Sequence, residues 1–505
     1  MHTTYRNRKI AQSLEQKLYQ LIICRLDGEK AANTAYRQKI FSLIEKGIGG
    51  FILFGGEKVP IQELIQKMQL LSKIPLFVSS DIERGVGQQI KGCTPFPCQM
   101  AVASAIDKNN PEDISILKEA LKEMALEAIG IGINMPLIPV LDVNQNPDNP
   151  IICTRAFSDD PAQVAWFGEA YIRSLEASGL LCCGKHFPGH GDTSLDSHIQ
   201  LPVIDKAYGD LINTDIVPFE HAVKAGVSSI MAGHLTIPAL DDKPASLSEK
   251  VLGKLLREEL GFHGLVLTDA LNMHALRGTE KVSVQCMKAG ADILLHPDDA
   301  DLTVQELMHA TESKELSEAQ IDSAVTRILQ AKEGLIRKDE AVLYNNNKLQ
   351  SLALQIIGKS IALVKNKSGL LPITGLENIH VVLAGDDHYF ENSAFRKYFH
   401  NVSVLEDNLA PDNKTVIFPV FTSVAAWKGS SGIGETEKNR IDEIVETARN
   451  SIVISFGSPY ILRHFKDADI LIAAYEGTEQ AEEAVIRRLK GQEAFRGKLP
   501  VKLNV

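Results

Sequence analysis

Short apolar runs alternate with amphipathic stretches along the first two-thirds of the chain. Runs at residues 21–24, 50–54, 75–80, 133–140, 180–184, 228–232, 264–268 and 291–295 are bounded by polar or turn-forming residues, as buried strands are. Between them, residues 61–71, 112–129, 161–177 and 248–260 carry apolar side chains at helical spacing. Strands alternating with helices predict βαβ units and a parallel sheet. Eight strands in about 300 residues predict a (β/α)8 barrel. A doubly wound sheet is the rival that pattern alone leaves open.

A helix-rich stretch follows at 316–338, and then a polar segment, 339–350, that includes Asn345, Asn346 and Asn347. Such a segment marks a domain boundary. It divides a barrel domain, residues 1–340, from a smaller α/β sandwich domain, residues 350–505. In the second part strands are expected at 361–365, 380–384, 415–420, 452–456 and 470–474, with helices at 437–450 and 479–490.

Composition narrows the function classes. A chain of 505 residues, 44% apolar and 23% charged, builds two or three ordinary cores. The net charge of −11, without a dense Lys/Arg block, argues against nucleic acid as a partner. Runs such as 131–140 are short and broken by Gly, Asn and Pro, so no membrane span is expected. The opening MHTTYRNRKIAQSLEQ has no apolar signal region. The seven cysteines form no C-x-x-C pair and mostly sit in or beside apolar runs, which reads as buried reduced thiols. These features together predict a cytoplasmic protein.

Residues 184–202, GKHFPGHGDTSLDSHIQLP, follow the apolar run LLCC. This stretch, read as a loop, holds Lys185, His186, His190, Asp192, Asp196 and His198. So many polar groups directly after a buried strand are costly unless paired or used. In α/β folds, loops leaving the carboxyl ends of strands build the site. Asp196 and His198 are one residue apart. A carboxylate there can hold the Nδ1–H of the imidazole, leave Nε2 free and favour the imidazolium. Asp269 ends the run GLVLTD and is bordered by Met273. It either faces a site or caps the segment after it. Asp81, Arg155 and His234 also stand at the ends of apolar runs, where each taken singly fits a cap or a loop ion pair better than a site residue.

The run K-H-F-P-G-H-G-D-T-x-x-D-S-H-x-x-L-P resembles the signature of glycoside hydrolase family 3 β-N-acetylglucosaminidases. IPVLDVNQNPDNPIICTRAFSDDP is similar to that family's fourth-strand region, PASLSEKVLGKLLREELGFHGLVLTDALNM to its nucleophile stretch, and KSIALVKNKSGLLPI to the opening of its C-terminal α/β domain. The resemblance implies Asp269 as nucleophile and His198, paired with Asp196, as general acid and base. It implies Asp81, Arg155, Lys185 and His186 as groups that hold sugar hydroxyls. His190, His234 and Met273 are grouped with this substrate-binding set. It further implies hydrolysis of terminal β-linked GlcNAc, from small saccharides or muropeptides, with no cofactor or metal. A β-glucosidase or xylosidase, a GlcNAc phosphorylase and a non-catalytic sugar-binding protein are the alternatives. One departure stands out. The family's usual D-Q-E-G-G-R-V reads here Asp81-Ile82-Glu83-Arg84-Gly85-Val86-Gly87, with Arg84 in place of a glycine and Val86 in place of the usual arginine.

Overall fold

The computed structural model describes residues 12–197, 199–335, 344–367, 369–405, 414–425 and 428–503. Eight strands come first: β1 (Ile22–Asp27), β2 (Gly50–Phe54), β3 (Phe77–Ser80), β4 (Met135–Pro136), β5 (Cys183–Phe187), β6 (Ser229–Ala232), β7 (Leu265–Thr268) and β8 (Leu294–Leu295). They pair in parallel in two arcs, β4-β3-β2-β1-β8 and β5-β6-β7. Parallel bridges Val140–Lys185 and Leu267–Ile293 join the arcs into a ring. The ring decides for the barrel over the doubly wound sheet. Its strands are almost wholly buried because one face fills the barrel and the other meets the helices.

Two strands depart from the sequence reading. The fourth run, 133–140, forms a strand only at Met135–Pro136, with an isolated bridge at Val140. Pro136 and Pro139 supply no N–H, so a continuous ladder cannot form there. The fifth begins at Cys183 and continues through Lys185 and His186 to Phe187. These two side chains therefore stand on the strand and not in the loop after it. Their polarity disguised the strand; buried carboxylates opposite make that polarity tolerable.

At the amino ends of the strands lies a buried lysine plug. Lys332 is buried, with Nζ 2.7 Å from Gly49 O, 3.0 Å from Gln20 Oε1 and 4.7 Å from the centre of the Phe77 ring. Burial pushes its pKa down to about 7. The unfolded chain then holds a proton that the folded chain lacks between about pH 7 and pH 10.5. Stability should rise with pH across that window, by up to about 1.4 kcal/mol per unit, and carry the full penalty below it. Lys332→Met should remove this slope. Urea unfolding of both proteins at pH 7 and pH 9 checks it, and identical slopes would contradict the assignment.

The helix Asn346–Ser360 was read in part as a polar spacer. Asn345 caps it, accepting from Lys348 N. Its Leu349, Leu352, Ala353 and Ile356 join the barrel core, and Ile357 joins the core of the second sheet. Residues 339–343 of the expected boundary lie outside the described residues.

Six more strands follow: β9 (Ala362–Asn366), β10 (Ile379–Gly385), β11 (Val402–Val404), β12 (Thr415–Phe421), β13 (Asn450–Phe456) and β14 (Ile470–Ala473). They form one sheet in the order β11-β10-β12-β13-β14-β9, parallel except for β9. Apolar cores cover both faces. One of them incorporates Cys98, Met100, Ala101 and Cys153 from the barrel domain. Polar bonds cross the same junction: Asn144 Nδ2 donates to Tyr460 Oη (2.9 Å), and Ser431 Oγ to Asn149 O (3.0 Å). The second sheet thus packs on the loops that carry the barrel's charged groups.

Candidate active site

Charged residues gather at the carboxyl ends of the barrel strands. Asp81 follows β3, Lys185 and His186 stand on β5, His234 follows β6 and Asp269 follows β7. Lys185 is 1% exposed, and its Nζ reaches Asp81 Oδ1 and Glu83 Oε1, each at 2.7 Å. Glu83 also takes a two-pronged contact from Arg155, through Nε at 2.8 Å and Nη2 at 2.7 Å. Burial alone would raise the Glu83 carboxyl, but Arg155 and Lys185 outweigh it and hold it well below the ordinary range. Lys185 shows the converse: burial works against its charge, and Asp81 and Glu83 more than restore it. Each charge in this cluster is held by its neighbours, as buried ions require.

A second network lies beside it. Asp142 is fully buried. Its Oδ2 lies 2.7 Å from His186 Nδ1, and its Oδ1 accepts from the backbone N–H of His186 (3.2 Å) and His190 (2.8 Å). Burial opposes its charge, but the attraction of His186 and these hydrogen bonds keep its pKa lowered. His190 Nε2 pairs with Ser197 Oγ at 3.0 Å. Burial first, and the neighbouring His186 second, push the His190 imidazole down to about 4. It is therefore neutral near pH 7. Asn149 Nδ2 ties the same turn by donating to His190 O (3.0 Å) and Gly191 O (3.1 Å). Further along, Lys206 bridges Asp192 (3.0 Å) and Asp215 (2.8 Å). The described residues of the loop 189–206 are thus pinned at several points, with Asp196 and Ser197 buried among them.

Asp269 is partly buried and stands directly after β7, at the same end of the barrel as Asp81 and His234. Its N–H donates to Ala232 O (2.9 Å), extending the β6–β7 pairing by one residue. No helix starts there; a single 3-10 turn, His274–Leu276, comes five residues later. The capping alternative for Asp269 therefore gives way to a carboxylate at a strand tip. His234 supports this segment from beneath. It is fully buried, with Nδ1 2.7 Å from Ser246 Oγ and Nε2 3.2 Å from Ala270 O. A contact to a carbonyl demands N–H at Nε2, so the ring is a donor to the Asp269 segment. That geometry ties His234 to the segment carrying Asp269. Met273 is also buried in this segment.

The structure thus brings together Asp81, Arg155, Lys185, His186, His190 and Asp269, with Asp196 in the adjoining loop. His198 lies outside the described residues. Sequence reasoning passed over Asp142, Ser197 and the role of Glu83. Asp142 carried a usable signal, a lone acid inside the apolar run PVLDV.

Comparison with known proteins bears on this arrangement. Residues 13–331 match the model of the glycosyl hydrolase family 3 N-terminal domain. The chain belongs to glycosyl hydrolase family 3. Among family 3 relatives, the β-hexosaminidase A of Pseudoalteromonas piscicida is 31% identical over 70% of this chain. The match spans 66% of that relative, just under two-thirds of its length. A family 3 β-N-acetylglucosaminidase structure from Paenibacillus sp. strain FPU-7 is 26% identical, with a TM-score of 0.82 over 98% of this chain and 100% of that one. A β-glucoside phosphorylase shares the fold, at 23% identity and a TM-score of 0.88 over 99% and 96% of the two chains.

Proposed function

We propose that this family 3 protein is a retaining exo-β-N-acetylglucosaminidase, with Asp269 as nucleophile and His198, oriented by Asp196, as acid and base. The observation that supports the reading is that Asp269, directly after β7, and the Asp81–Lys185–Glu83–Arg155 cluster stand at one end of the barrel. The D-S-H motif and the β-hexosaminidase names of several relatives support the substrate class.

In the first step Asp269 attacks the anomeric carbon while the imidazolium of His198 protonates the leaving oxygen. The glycosidic bond breaks and a glycosyl ester forms. In the second step the neutral imidazole takes a proton from water, the water oxygen attacks the same carbon, and the ester bond breaks. Two inversions give net retention. A neutral histidine adds no charge beside the carboxylate nucleophile, and Asp196 sets its basicity. The charge-balanced Asp81–Lys185–Glu83–Arg155 cluster holds the sugar, and His190 stays neutral beside it. The substrates that fit this reading are terminal β-linked GlcNAc units of small saccharides, including muropeptide fragments from the cell wall. The seven free cysteines, six of them buried, fit a reducing compartment such as the cytoplasm.

The test is turnover of aryl β-GlcNAc against aryl β-glucoside, with and without phosphate. Preference for the glucoside, or a glycosyl phosphate as the main product, would replace this reading. His198→Ala should lose about 10²–10⁴-fold on substrates with poor leaving groups. It should lose far less in the first step on activated aryl glycosides. Equal loss of that first step on both would remove the acid role.

A further inference from the structure

The second domain approaches the sugar cluster with a buried carboxylate. Glu476 follows β14 and is buried. Its Oε1 accepts from the backbone N–H of Cys98 at 2.6 Å, and its Oε2 lies 3.9 Å from Arg84 Nη1. Arg84 and Cys98 are the two ends of one closed loop of the barrel domain. Within it, Phe96 N–H donates to Arg84 O (2.7 Å) and Gly87 N–H to Thr94 O (2.9 Å). The crossing is tight. A Cβ on Gly85, whose φ is +73°, would lie 2.8 Å from Thr94 O, and one on Gly87 would lie 2.4 Å from Pro95 N. A rigid loop held at both ends by one group moves as a unit.

What that unit carries is Glu83. Gly85 N–H donates to Ile82 O (3.0 Å), so Glu83 and Arg84 are the two central residues of one turn. The Glu83 side chain serves Lys185 and Arg155, and Arg84 reaches the other way, to the second domain. The charge of Glu476 is the main influence raising the Arg84 pKa. Anchoring one central residue of a turn fixes the direction of the other.

We infer that Glu476 is a positioning residue: acting through Arg84 and the Cys98 N–H, it sets Glu83 and with it the Lys185–Arg155 sugar clamp. The arginine that replaces the family's usual glycine is the partner of this second-domain carboxylate. Loss of the pair leaves the chemistry at Asp269 intact and loosens the sugar-holding groups, so the cost falls on binding. The kinetic half of this inference rests on the hydrolase reading above, and the mechanical half does not.

Glu476→Gln keeps an acceptor for the Cys98 N–H and removes the charge; Arg84→Met removes the partner. Each should raise KM for aryl β-GlcNAc about tenfold, about 1.4 kcal/mol, and change kcat by less than about twofold. The double variant should be no worse than either single one, because the two residues act as one unit. Hydrogen exchange should quicken in peptides spanning 84–98 and stay unchanged at the amino ends of the barrel strands. Additive kinetic losses, unchanged KM, or a fall in kcat that tracks a fall in Tm would overturn the positioning role. Unchanged exchange in 84–98 would overturn the clamp itself. If the wild type turns over no aryl glycoside, the hydrolase reading fails and the exchange measurement alone decides the clamp.

Discussion

Asp269→Ala is expected to abolish turnover, by about 10⁴–10⁶-fold in kcat, without lowering Tm. The carboxylate stands at a strand tip and is only partly buried. Its Oδ1 accepts from the N–H of the next residue, Ala270, at 2.7 Å. The segment keeps its main-chain anchor to Ala232 and the His234 support whatever the side chain at 269 is. The main-chain anchors of the segment are thus independent of the carboxylate, whereas the proposed covalent step depends on it wholly. A fluorinated glycoside that reacts slowly provides the direct check. It should add one sugar mass to the wild type, within the peptide that holds residue 269, and leave the variant unmodified. A label on another carboxylate, or a variant with undiminished rate, would refute the assignment.

The opposite end of the barrel should behave the other way round. Asp292 is fully buried, 2.6 Å from Arg257 Nη2 and 2.7 Å from Arg327 Nη2, and its Oδ2 accepts from Val266 N–H at 2.8 Å. Arg257 also donates to Phe262 O and Gly264 O, just before β7. This cluster ties the amino ends of β7 and β8 to two helical segments. Asp292→Ala would leave two guanidinium groups facing a buried gap and an N–H without its partner. The expected cost is about 3–5 kcal/mol of stability, read from urea unfolding. The activity of molecules that remain folded should be unchanged, because no part of the cluster reaches the carboxyl ends of the strands. A loss of kcat at full stability would contradict this division between a reactive end and a supporting end.

Much of the fold was legible from hydrophobic pattern. Strands buried on both faces read as plain apolar runs, so β2 was found at its bounds and most others within a residue or two. The pattern failed where function changes the residue types. Lys185 and His186 looked like loop because strand interiors seldom hold charge, yet their partners lie 104 and 44 residues away. It also failed at β11, a three-residue edge strand whose side chains are only half-buried and leave little periodic trace. The site was legible as a set of motifs, and Asp269, Lys185 and Arg155 were each visible at the end of an apolar run. Glu83 and Asp142 were not singled out, because a carboxylate declares its role only when the cations it serves are known.

Taken alone, the order of residues determined the alternation of strand and helix, the two-part layout and the family, since each depends on local composition and on motifs that are contiguous. Tertiary structure alone decided which charges meet. Glu476 reaches Cys98 across 378 residues of chain, and Lys185 comes from β5, Glu83 from the turn after β3 and Arg155 from a 3-10 turn well beyond β4. The physical reason is range: periodicity reports on neighbours a few residues apart, whereas a buried ion is stabilised by whatever the closed ring sets within about 3 Å of it.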